Sequence, residues 1–105
     1  VLPWADSADA ILTMFMPGEQ FGTALAQVVF GRAEPQGRLP LTLPRRGSEI
    51  TFRPEQYPGV GGLANYSEGL LVGYRWYDYH HVEPHFPFGF GLSFASFEYE
   101  HLQAA

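Results

Sequence analysis

The chain has 105 residues, 46% hydrophobic, 16% aromatic and only 16% charged, which excludes a disordered tail, a coiled coil and a collagen-like repeat. The absence of cysteine excludes disulfides and thiolate metal ligation. Six arginines, no lysine and a formal net charge of -5 argue against nucleic acid or an anionic membrane as a partner.

No apolar run approaches the roughly 18 residues that a membrane-spanning helix needs. Twelve glycines and nine prolines point to loops and short strands. The chain begins at Val1 rather than Met, and a start further upstream is expected. Composition shifts near the middle: Trp4, Phe15, Phe21 and Phe30 are the aromatic residues before position 51, and the other 13 follow it. The two halves therefore read as different structural units.

Ala10-Ile11-Leu12-Thr13-Met14-Phe15-Met16 is an almost unbroken apolar run, the length of a strand buried on both faces. Pro17-Gly18 ends it. Phe21, Ala24, Leu25 and Val28 then recur at i, i+3, i+4 and i+7, which predicts an amphipathic helix. Glu19 near its start suits the helix dipole, and Gly31 marks its end. Leu39, Leu41 and Leu43 alternate with Pro40 and Thr42, the period of a strand that Pro40 confines to a sheet edge. Residues 45 to 64 read as a long loop. Leu70, Val72, Tyr74 and Trp76 alternate on one side of a second strand candidate, Leu70–Tyr79. Phe86–Tyr99 mixes glycine turns with aromatic residues, as short β pieces do.

Four motifs stand in order along the chain. They are Phe15-Met16-Pro17-Gly18-Glu19-Gln20-Phe21-Gly22; Val29-Phe30-Gly31 with Pro35-Gln36-Gly37-Arg38-Leu39-Pro40-Leu41-Thr42; Tyr66-Ser67-Glu68-Gly69-Leu70-Leu71-Val72-Gly73-Tyr74-Arg75-Trp76-Tyr77-Asp78; and Phe86-Pro87-Phe88-Gly89-Phe90-Gly91-Leu92-Ser93-Phe94. Their order and spacing resemble the C-terminal half of glycoside hydrolase family 3, the β-glucosidase and β-xylosidase family. Phe21 stands where the family has a glycine, Glu34 and Gln36 where it has Asn and Ser, and Phe94 where it has Tyr.

The resemblance implies an α/β fold: the C-terminal fragment of an α/β sandwich domain, strand–helix–strand, running into a fibronectin III-like β-sandwich. Residues 1–44 are expected to end the sandwich domain, 45–80 to link the domains, and 81–105 to open the β domain. It also implies a multi-domain enzyme acting on β-glucosides or related sugars, with an N-terminal barrel outside this chain and no cofactor. Retaining glycosidases use two carboxyl groups about 5–5.5 Å apart. Neither the nucleophilic Asp nor the acid/base Glu of the family maps onto a position here, so the fragment is expected to be inactive. The alternative is a non-catalytic carbohydrate-binding or interaction module of the same descent. The compartment, whether secreted, periplasmic or cytoplasmic, stays open.

Glu68 is the candidate catalytic carboxylate, against a structural reading in which it pairs with Arg75 or caps backbone N–H groups. His80, His81, Glu83 and His85 crowd together, but a solvated loop outweighs a metal site, and no metal is expected. Trp76, Tyr77 and Tyr79 offer faces for sugar stacking, against packing within a sheet or between domains. Gly59, Gly61 and Gly62 lack the strand-to-helix context of a phosphate loop. Asn65-Tyr66-Ser67 is an N-glycosylation pattern only in a eukaryotic secretory route. Arg38 and Arg75 read as architectural, and Phe88 as a buried anchor. One helix cannot cover a strand apolar on both faces, so an apolar patch around Ile11, Met14 and Phe15 and self-association of the isolated chain are expected.

Overall fold

A computed structural model describes residues 1–49 and 51–103. The chain divides into two compact units, Val1–Ile11 with Arg38–Phe90, and Leu12–Gly37 with Gly91–Ala105.

In the first unit the N-terminus folds into a 3-10 turn over Ala5–Ser7, which buries Ala5. The Leu39–Leu43 segment pairs antiparallel with the chain around Phe86–Phe90. Leu39 N–H donates to Phe90 O at 2.8 Å and Gly89 N–H to Leu39 O at 2.8 Å. Leu43 and Phe86 exchange bonds of 2.8 and 3.2 Å. Leu39 and Leu43 are thus paired, but the chain bends at Pro40 and Leu41, and among the described residues one β-bridge, Leu43 to Phe86, is all that forms between these segments. Among the described residues the buried positions are Ala5, Pro44, Tyr77 and Pro84, all in this unit.

The aromatic segment departs from expectation. Leu70–Tyr79 is not a strand; its second part is helix α2, Tyr74–His80. Gly73 sits at φ 58°, ψ -131°, which turns the chain out of the extended direction and starts the helix. Helical spacing then directs Tyr77 inward, where it is 5% exposed, while Tyr79 lies outside at 66%. His81 closes the helix in the left-handed conformation, with Val82 N–H reaching Tyr77 O at 3.1 Å. Phe88 is also corrected: it is half exposed, touching Tyr74 at a ring distance of 5.1 Å, because it lies at the rim of the 86–90 turn.

The second unit holds helix α1, Phe21–Val29, where the apolar periodicity predicts it. Its C-terminus is a Schellman motif. Gly31 N–H donates to Val28 O at 3.1 Å and Arg32 N–H to Gln27 O at 2.7 Å. The Leu12–Met16 portion of the apolar run has no ladder among the described residues, and Leu12, Phe15 and Met16 are exposed. A strand buried on both faces needs neighbours on both edges, and α1 alone provides neither. Beyond Phe90 the expected β pieces form no ladder among the described residues either.

Candidate functional site

Glu68 lies in a turn closed by Gly69 N–H to Tyr66 O at 3.2 Å and Leu71 N–H to Glu68 O at 3.0 Å. Its side chain is fixed by an amide relay. Arg53 N–H donates to Gln56 Oε1 at 2.9 Å, and Gln56 Nε2 donates to Glu68 Oε2 at 2.9 Å. The partner is therefore Gln56, not Arg75. The Arg75 guanidinium stands 5.6 Å from the Tyr74 ring centroid, a cation–π contact.

The histidine stretch is dispersed by its stacking partners. His80 lies against Trp76 at 4.5 Å, one helical turn away, and His85 against Phe86 at 4.5 Å. His85 Nε2 also approaches Asp6 Oδ1 at 3.6 Å, joining the N-terminal turn to the 85–90 segment. Among the described residues no three His, Asp or Glu side chains converge as metal ligands. Gly61 and Gly62 form the two-residue turn of a small hairpin between Val60 and Leu63.

Thr42, Tyr74, Tyr77, Asp78 and Glu83 line an open cleft of about 140 Å³. Thr42 Oγ1 is buried without a hydrogen-bond partner. Tyr77 donates its hydroxyl to Glu49 Oε2 at 3.3 Å, and the same carboxylate accepts Arg45 N–H at 3.0 Å and Arg46 N–H at 2.8 Å. Burial, then the Glu49 charge and hydrogen bond, push the Tyr77 phenol above its ordinary value. Sequence reasoning missed Glu49 and Thr42. Glu49 carried a signal: a carboxylate three residues after Arg46 can fold back on the preceding N–H groups.

In the other unit Glu34 Oε1 accepts from Ser93 Oγ and from Ala95 N–H, the latter at 2.8 Å. Hydrogen bonds from Ser93, Ala95 and Phe94 hold its carboxyl below the ordinary carboxylate value, against a smaller opposing desolvation. That direction is opposite to the raised value a general acid needs near neutral pH.

The chain resembles several solved and characterised proteins. It is 48% identical over 99 residues to a β-glucosidase of Rhizobium radiobacter, covering 91% of this chain and 12% of that protein. It is 41% identical over 100 residues to an exo-α-(1→6)-L-arabinopyranosidase of Bifidobacterium longum, covering 93% of this chain and 13% of that one. The structure of β-glucosidase 3B from Thermotoga neapolitana superposes with a TM-score of 0.84 at 39% identity, covering 98% of this chain and 15% of that chain. The chain thus spans about an eighth of the length of these relatives. The family model for the glycosyl hydrolase family 3 C-terminal domain matches residues 1–94, and the chain belongs to that family.

Proposed function

We propose that the complete protein hydrolyses O-glycosidic bonds of β-glucosides or related sugars, and that these 105 residues are a structural part of it. The observation that carries this reading is the family match over residues 1–94, joined to identities of 40% or more with β-glucosidases. The sugar is left open by the relatives themselves, since the arabinopyranosidase of Bifidobacterium longum, at 41%, is as similar as the thermostable β-glucosidase B of Acetivibrio thermocellus, also at 41%.

In this reading the nucleophilic Asp and the acid/base Glu lie elsewhere in the protein. Support comes from Glu68, whose carboxylate is occupied by the Gln56 amide. Residues 1–44 then end the sandwich domain, where the Ala10–Met16 run gains strand neighbours from the rest of that domain. Residues 45–80 link toward a fibronectin III-like module that begins in 81–105. The exposed side chains of Leu12, Phe15 and Met16 fit such burial. The test compares aryl β-glucoside hydrolysis by the complete protein and by residues 1–105 alone. Turnover by the complete protein and none by the fragment supports the reading; turnover by the fragment that Glu68→Gln abolishes overturns it.

A further inference from the structure

Glu34 joins parts of the second unit that are 59 residues apart in sequence. It sits in the turn that follows α1, and its Oε1 is set against a small turn in which Ala95 N–H also donates to Ser93 Oγ at 3.1 Å. One carboxylate oxygen therefore receives a hydroxyl and a backbone N–H from the start of the C-terminal segment. Both bonds are charge-assisted only while Glu34 is ionised.

We propose that Glu34 is an acid-released latch: ionised, it ties residues 91–103 to the turn after α1, and protonated, it releases them. The other titratable side chains of the unit are Glu19 before α1, Arg32 on the Glu34 turn, and Glu98, Tyr99, Glu100 and His101 on the facing segment. None of them contributes to holding the Glu34 carboxyl low; Ser93, Ala95 and Phe94 do. A carboxyl held low in the folded state adds stability above its unfolded value of 4.5, and loses it as pH falls through the folded value.

Hydrogen exchange of peptides within residues 91–103, followed in the complete encoded protein and corrected for intrinsic exchange, reads the latch directly. Wild-type protection should fall progressively from pH 6 to pH 3.5, by more than about threefold, and protection in Glu34→Gln, which accepts without titrating, by less than about twofold. Ser93→Ala removes the hydroxyl donor and leaves Ala95 N–H, so its protection should be lower than wild type at pH 6 and fall less with pH. A parallel loss in wild type and Glu34→Gln overturns the proposal, as does a flat wild-type profile. If Glu34→Gln fails to fold, a Ser93→Ala profile that follows wild type overturns it equally.

Discussion

Tyr77 is the best-buried large side chain among the described residues, 5% exposed, and its two halves do separable work. The ring packs edge-on against Trp76 at 5.2 Å, and the hydroxyl reaches Glu49 at 3.3 Å. Truncating a buried aromatic residue to alanine costs about 3–5 kcal/mol, and the open cleft beside Tyr77 places Tyr77→Ala near about 3 kcal/mol. Removing the hydroxyl alone leaves Glu49 its two backbone donors, so no charge is orphaned and Tyr77→Phe costs about 0.5–1 kcal/mol. Hydrogen exchange of the α2 amides in the complete protein measures both, since each 1.4 kcal/mol is about tenfold in protection. The expectation is about a two- to fivefold loss for Tyr77→Phe and about a hundredfold loss for Tyr77→Ala. The phenol, held above its ordinary value of 10.0, stabilises the fold below that pH and ceases to as pH rises through the folded value. Tyr77→Phe should therefore lack that component of alkaline loss. An alanine effect below about tenfold, or a phenylalanine effect equal to it, would refute the assignment of the ring as the core of this unit.

Gly59→Ala should destabilise the 53–65 loop by about 2 kcal/mol or more, read as faster proteolysis there, because φ is +99° and a Cβ would meet Leu63 O at 2.6 Å. Phe88→Ala, at a half-exposed ring, should cost the first unit about 1–2 kcal/mol in a denaturant titration, well short of a core truncation. The isolated chain should bind a hydrophobic dye and self-associate through Leu12, Phe15 and Met16; a monodisperse monomer with no dye signal contradicts this.

Much of the local structure was legible in the residues themselves. The i, i+3, i+4, i+7 spacing from Phe21 to Val28 has one reading, and α1 follows it with Gly31 at its end. Leu39–Leu43 alternates, and its two ends pair with the 86–90 chain, but a bend at Pro40 and Leu41 keeps the segment from forming a strand. The 70–79 segment was ambiguous because Tyr74 and Trp76 alternate as in a strand, while Tyr74 and Tyr77 also stand at helical spacing. Gly73 decides between them, and a glycine in a strand pattern is a weak signal until its φ is known. Phe88 was misread because bulk alone does not say which side of a turn a ring will occupy. Glu34 showed only as a departure from the family pattern. Its partners lie some 60 residues away, beyond what spacing can reveal.

The central claim is that this chain carries structure and not the reacting carboxylates, and Glu68→Gln in the complete protein tests it most directly. The side-chain amide of glutamine keeps the size of the group and an oxygen to accept from Gln56, so the turn should survive. The account predicts kcat on an aryl β-glucoside within about threefold of wild type, since only a group reacting in the transition state lowers kcat steeply. A fall of about a thousandfold with stability unchanged would make Glu68 a catalytic carboxylate and contradict the account.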